Sequence, residues 1–301
     1  MMSNYRQKLR EVASGEPVNG PMQYVGNGRA VDKYGRLYYV ESHEDKERKK
    51  KYAYRQMDQR HFTFTDMENI AEITEGLTNK QCGYLMLLQP YVQFKTNIIA
   101  TKGEVSEPMD KKMIAEVLDV QPRTVKGVLD KLTSIGALEI TEEGYYRMND
   151  RYHFRGKVRG DVDKLVKTFH STLRKLKLTP ADLGAVYKLL PHVHYETNFV
   201  CKNPFEANPS KVEFCNKSEL AELFGMSRRK ASDLIARLTR AGVIIEVKRK
   251  AAFMGEGDGR ETVIAINPHL ITRIQGEFPD KTLLQLFNTA EYQSTANAST
   301  N

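Results

Sequence analysis

In its spacing of apolar and polar positions, the chain is most legible between Cys215 and Lys250, CNKSELAELFGMSRRKASDLIARLTRAGVIIEVKRK. Leu220, Ala221, Leu223 and Phe224 form one apolar stripe, and Ala231, Leu234, Ile235 and Leu238 form another at i, i+3, i+4 and i+7, which predicts two short helices. Asn216 and Glu219 have capping-box spacing for the first helix. Gly225 tolerates a left-handed turn, and Ser227 is a suitable N-cap for the second. Gly242 ends the second helix, and Val243-Ile244-Ile245 opens a strand that runs into Lys248-Arg249-Lys250. Outside the apolar stripe the second helix leaves Arg228, Arg229, Lys230, Ser232, Asp233, Arg237 and Arg240. Two helices, a tight turn and a hairpin, with cations and a hydroxyl at the start of the second helix, predict a winged helix-turn-helix whose second helix enters a DNA major groove N-terminus first.

The same pattern occurs twice. Leu77 to Ile99 aligns without gaps to Leu178 to Val200, with Leu77/Leu178, Thr78/Thr179, Gly83/Gly184, Leu88/Leu189, Pro90/Pro191, Val92/Val193, Thr96/Thr197 and Asn97/Asn198 identical. After an insertion the register continues, so that Arg123 meets Arg229, Leu132 meets Leu238 and Gly136 meets Gly242. A second insertion in the wing brings Asn149 opposite Asn267 and Arg155 opposite Arg273. Both insertions fall where loops are expected. Each copy reads as a helix with a central glycine, an extended Thr-Asn segment, the helix-turn-helix, a β-wing and a closing Asn-led segment. The fold class expected is therefore mainly α with small β-wings (α+β): two tandem winged helix-turn-helix domains from an internal duplication, plus an N-terminal extension.

The expected boundaries follow from this pattern. Residues 1–61 form the extension, with one or two hairpins between Met22 and Val40 and a basic helix from Ser42, whose spacing to Asp45 fits a capping box, to about Arg60. Residues 62–157 are the first winged-helix domain, entered by the extended Phe62-Thr63-Phe64 and a helix from Asp66 to Ile73. Residues 158–177 are a connecting amphipathic helix, with Val162, Leu165, Val166, Phe169, Leu173 and Leu176 on one face and Lys164, Lys167, Arg174 and Lys175 on the other. Residues 178–278 are the second winged-helix domain, and 279–301 hold a last helix, Lys281 to Phe287, and a polar tail.

Charge separates the two copies. The chain has 46 Lys and Arg against 38 Asp and Glu, which favours an anionic partner. Met109 to Gly144 carries five cations and seven anions, whereas Cys215 to Lys250 carries nine cations and four anions. The first wing is short and acidic at Glu142-Glu143. The second is long, with Lys248, Arg249, Lys250 and Arg260 around Gly255 to Gly259, and suits contact along a backbone or in a minor groove. The partner expected is double-stranded DNA. The candidate DNA-binding residues are Gln121, Arg123, Thr124 and Lys126 in the first copy and Ser227, Arg228, Arg229, Lys230, Ser232, Arg237, Lys248, Arg249, Lys250 and Arg260 in the second. The second copy is expected to supply most of the affinity, and the first to read a weaker half-site or to make protein contacts, including self-association. Pro122 suits the first helical position of the first recognition helix.

Enzyme chemistry has little support. There is no GxxxxGK[ST], HExxH or GxSxG, and His192-Val193-His194 lacks further ligands at metal spacing. No catalytic residue, metal or cofactor is expected. Cys82, Cys201 and Cys215 are odd in number and lack CxxC spacing, which points to a reducing compartment. No apolar run reaches the ~20 residues of a membrane span, so the expected location is cytoplasmic and no membrane partner is expected.

The order helix, helix-turn-helix, wing and Asn-led segment, seen as YYRMNDRYHFRG (Tyr145 to Gly156) and VIAINPHLITR (Val263 to Arg273), resembles the RepL-type replication proteins of Firmicute plasmids and their phage relatives. It is more loosely similar to MarR-type regulators. The resemblance covers roughly residues 77–156 and 178–275, and implies a replication protein that binds origin-type sites and works with host replication proteins. Tandem winged helices are also similar in architecture to theta-type plasmid initiators. A transcription regulator binding operators, with host transcription proteins as partners, and a structural protein with vestigial winged helices are the alternatives.

Overall fold

Two adjacent residues with positive φ, Asn27 and Gly28, turn the chain between β1 (Gln23–Gly26) and β2 (Arg29–Val31). This computed structural model describes residues 23–32, 34–39, 44–46, 48, 49, 60–103, 105–158, 161–250, 260–274 and 285–287, in two units divided after residue 58. In the first unit, β3 (Leu37–Tyr39) completes a three-stranded antiparallel sheet in the order β1-β2-β3. The Asp32 carboxylate holds the second turn by accepting from the backbone N–H groups of Tyr34 and Arg36 and from Arg36 Nε, each at 2.9 Å. The hairpins expected here are present. Residues 44–46, 48 and 49 are helical, in keeping with the basic helix. Ser42, its proposed cap, and residues 50–59 lie outside the described residues.

The second unit is mixed α+β, and its elements recur in the same order. The first half runs β4 (Phe62–Asp66), α1 (Met67–Thr74), α2 (Asn79–Leu88), α3 (Lys111–Val117), α4 (Pro122–Ser134), β5 (Leu138–Ile140), β6 (Tyr146–Met148) and β7 (His153–Phe154). The second runs β8 (Leu165–Phe169), α5 (His170–Lys175), α6 (Pro180–Leu189), α7 (Lys217–Leu223), α8 (Arg228–Arg240), β9 (Ile244–Lys250), β10 (Arg260–Ile266) and β11 (Ile271–Thr272). The bonds recur too. Ile99 N–H donates to Tyr146 O and Val200 N–H to Ile264 O, both at 2.8 Å. Asn149 Nδ2 donates to Gly136 O and Asn267 Nδ2 to Gly242 O, also at 2.8 Å. Asn97 and Asn198 take φ of 57 and 56 at one matched turn, and Asp119 and Gly225 take 51 and 64 at another. Phe94 to Thr96 and its counterpart form turns, where an extended segment was expected. The left-handed asparagine that follows each turn accounts for the reversal.

Of the connecting helix expected over 158–177, only the stretch of α5, His170–Lys175, is formed as an α-helix. Leu165–Phe169 is instead a strand, all five residues buried, in a sheet of order β11-β8-β4-β7. A strand covered on both faces is apolar at nearly every position, and this run therefore mimicked a helical stripe. Lys167, assigned to the solvated face, is buried: its Nζ donates to Ile274 O at 3.1 Å and lies 5.3 Å from the centroid of the Phe62 ring. The strand order is palindromic. β4 and β8 pair antiparallel at its centre, Phe62 opposite Phe169 and Asp66 opposite Leu165. The two expected domains therefore share one core, which runs from Met67 through both halves to Ile271.

Two glycines permit this arrangement. A β-carbon on Gly83 of α2 would lie 1.6 Å from Pro180 O, and one on Gly184 of α6 would lie 1.5 Å from Asn79 O. The helices meet backbone to backbone, each glycine facing the start of the other helix. The halves are thus related by an approximate twofold. Between them His153, wholly buried, lies 2.9 Å from Thr65 Oγ1 through Nδ1 and 2.6 Å from the Tyr187 hydroxyl through Nε2. The end of the chain contributes Leu286 and Phe287, packed with Ala265, Phe199 and Ile245. The rest of the last helix and the polar tail lie outside the described residues.

Gly83→Ala or Gly184→Ala is expected to cost about 3 kcal/mol in urea unfolding, the upper end of overpacking costs, because each clash is with backbone. Gly127→Ala, within α4 and with open space around it, is expected to stabilise by about 0.5–1 kcal/mol in the same assay. Burial pushes the His153 pKa down to about 3. The unfolded chain therefore takes up this proton near pH 6.5 and the folded chain does not, so the contribution of His153 to stability is intact above pH 6.5 and declines as pH falls toward 3. Between pH 6.5 and 5, His153→Gln is expected to flatten the stability slope by up to about 1.4 kcal/mol per pH unit.

Candidate nucleic-acid interface

The second helix pair is built as its apolar spacing requires. Asn216 and Glu219 form a reciprocal capping box at the start of α7, and Gly225 turns the chain at φ 64. Ser227 caps α8, its hydroxyl accepting from Lys230 N–H at 3.5 Å. Ala231, Leu234, Ile235 and Leu238 are buried, the three larger side chains contributing about 1.5–3 kcal/mol each. Arg228, Arg229, Lys230 and Ser232 are left exposed with Ser227 at the start of α8. Among the described residues none of the three cationic side chains has a hydrogen bond or an ion pair, and no acidic residue lies in the first turn.

The first half repeats the geometry with weaker chemistry. Gln121 is the N-cap residue of α4 without a side-chain cap bond, and Pro122 occupies the first turn as expected. Val125, Val128, Leu129 and Leu132 are buried, while Gln121, Arg123, Thr124 and Lys126 are exposed. The β5–β6 hairpin is short, its tip exposing Glu142 and Glu143. Arg147, its nearest cation, is held by Glu139, with Nε donating at 3.0 Å.

The four residues of the first half cluster at the N-terminus of α4, and Ser227, Arg228, Arg229, Lys230 and Ser232 cluster at that of α8. Lys248 is exposed on β9, and the backbones of Arg249, Lys250 and Arg260 pair in the β9–β10 ladder. The side chains of these last three and residues 251–259 lie outside the described residues. Arg237 does not join the cluster. Its guanidinium binds the Asp182 carboxylate of α6 at 2.7 and 3.3 Å, a bidentate pair that anchors α8 to the shared core. Nothing local signals this pair: Thr179 and Asp182 read as an ordinary helix start, and Asp182 N–H does donate to Thr179 Oγ1, but its carboxylate reaches across to α8.

Two more contacts that local patterning misses fix the helix pair. Asn79 Nδ2 donates to Phe224 O at 2.9 Å, which ties the end of α7 to the first half, and Lys217 Nζ lies 2.8 Å from Glu246 on β9. The groups with latent reactivity are engaged or suppressed. Burial raises the thiols of Cys82, Cys201 and Cys215 to about 11, 11 and 12, which disfavours thiolate. His194 is satisfied by Glu206 O at 2.9 Å and Thr197 Oγ1 at 3.1 Å. His192 is half-buried, its Nδ1 enclosed and unbonded among the described residues, and burial lowers its pKa. No helix among the described residues is long and apolar enough to cross a membrane.

Arg237→Ala is expected to cost about 1–2 kcal/mol in urea unfolding, because it leaves the nearly buried Asp182 carboxylate without its partner. Comparison of the chain with protein-family models, curated proteins and solved structures finds no match.

Proposed function

We propose that the second unit is a pair of winged helix-turn-helix copies, arisen by internal duplication, and that it binds double-stranded DNA sequence-specifically without enzymatic activity. The observation that carries this reading is the first turn of α8. Arg228, Arg229 and Lys230 crowd the positive end of a helix dipole with no carboxylate in that turn, an arrangement that disfavours folding by about 0.3–1 kcal/mol per charge. An anion supplied from outside reverses that sign, and a duplex offers phosphates together with guanine edges for arginine. The β9–β10 wing, with Lys248 exposed, adds backbone contact.

The approximate twofold supports a single chain that presents α4 and α8 to two inverted half-sites, α8 supplying most of the affinity. The resemblance to RepL-type replication proteins favours origin-type sites and a role in initiating or controlling plasmid or phage replication, in a reducing, cytoplasmic setting. A footprint over a promoter instead of an origin identifies a transcription regulator using the same surface.

Replacing Arg228, Arg229 and Lys230 together by Ala is expected to weaken binding to a genomic target fragment at least a hundredfold in gel shifts, while leaving thermal stability equal or slightly raised. Arg123→Ala with Lys126→Ala is expected to weaken it less, by about tenfold, an asymmetry set by the charge difference between the helices. Unchanged binding by the triple variant rejects the assignment of α8.

A further inference from the structure

A cleft of about 460 Å³ opens in the first half, lined by Lys95, Asn97, Asp150, Phe154, Arg155 and Lys157 among others. It is remote from the groove-reading surface. Asn149 Nδ2 donates to Gly136 O just past the end of α4, so neighbouring Asp150 marks the C-terminal end of that helix, about 20 Å from its N-terminus. Met148 N–H donates to Asn97 O and Ile99 N–H to Tyr146 O, which puts Asn97 at the end of β6 away from the hairpin tip.

The lining is cationic: Lys95, Arg155 and Lys157 face one carboxylate, Asp150. Neither lysine has an acidic partner among the described residues, and Lys95 Nζ lies 5.8 Å from the centroid of its neighbour Phe94. Arg155 donates through Nη1 to Val92 O at 3.2 Å and through Nη2 to His61 Nδ1 at 3.0 Å, which uses two of its five N–H groups. Burial lowers the His170 pKa to about 3, and Arg155, Arg174, His61 and Lys102 push it the same way. Lys95 is also held in a left-handed conformation, φ 72, its N–H donating to Arg155 O at 2.7 Å; strain of this kind gathers at ligand clamps.

The matched position in the second half shows what fills such a cleft. Arg273 is buried, donates to Val193 O at 2.8 Å, to Pro204 O at 2.7 Å and to Asp163 O, and lies over the Phe205 ring. Pro204 and Phe205 belong to a segment that is longer than its counterpart in the first half. There the same arginine is only partly buried and borders open space.

We propose that the cleft at Lys95, Arg155 and Lys157 is an anion site that takes a phosphate group, separate from the groove-reading surface. A guanidinium fork with two ammonium groups against one carboxylate matches a phosphate dianion in charge and geometry, and the volume admits a group of nucleotide size. The phosphate comes from a phosphorylated small molecule or from the backbone of a second nucleic-acid segment. The site does not depend on the DNA-binding reading.

The test uses the full chain and a variant with Lys95→Glu and Lys157→Glu. Calorimetric titration with pyrophosphate is expected to show saturable binding to the wild type and at least a tenfold loss of affinity in the variant, with the unliganded Tm unchanged. If a nucleic-acid backbone is the occupant, the variant also flattens the plot of log affinity against log salt for long duplex fragments by about two, with the footprint unmoved. If a small molecule is the occupant, that slope is unchanged and only the pyrophosphate response is lost. If the double variant does not fold, Lys157→Gln, at an exposed position, is expected to give a several-fold loss in the same titration. A variant indistinguishable from wild type in both measurements overturns the proposal.

Discussion

The close approach of α2 and α6 is the constraint on which the rest of the second unit depends. At Gly83 and Gly184 the two helices touch through backbone atoms, a spacing that no side chain larger than hydrogen permits. That spacing lets β4 and β8 pair at the centre of one sheet and lets a single core run through both halves. It also sets where the surface helices point. α8 is tied to α6 by Arg237 and Asp182, and the turn before α8 is tied to α2 by Asn79, so its direction is inherited from the helix pair beneath it. The DNA-binding surface proposed for α8 would need that kind of support.

The charges at the two ends of α8 bear on its stability in opposite senses. The first turn crowds cations where the helix dipole is positive, while the last turn carries Arg237 and Arg240 where the dipole favours them. The same residue type is therefore an anchor at one end and an unmatched charge at the other. Position along the helix separates the two roles, and composition does not.

Much of this architecture was legible because it is local. The capping box at Asn216 and Glu219, the cap at Ser227, the turn at Gly225 and the four buried positions of α8 are each set by residues within a turn or two of one another. The recurrence of Gly83 and Gly184 was visible as well, but not its meaning, because a helical glycine has no local signature that distinguishes tolerance from contact. The strand Leu165–Phe169 was misread as helix for a related reason: burial on both faces erases the alternation that marks a strand. The Arg237–Asp182 pair and the cleft at Arg155 join residues more than fifty positions apart, which no local pattern marks.

The palindromic sheet, β7-β4-β8-β11, gives the second unit the symmetry of a homodimer inside one chain. In a true homodimer every substitution is made twice, so neither copy can change its surface without the other. Joining both halves covalently removes that obligation. One half is then free to become acidic at its β5–β6 hairpin while the other gathers cations, and one arginine is free to be sealed while its counterpart opens onto solvent, with the shared core unchanged beneath them.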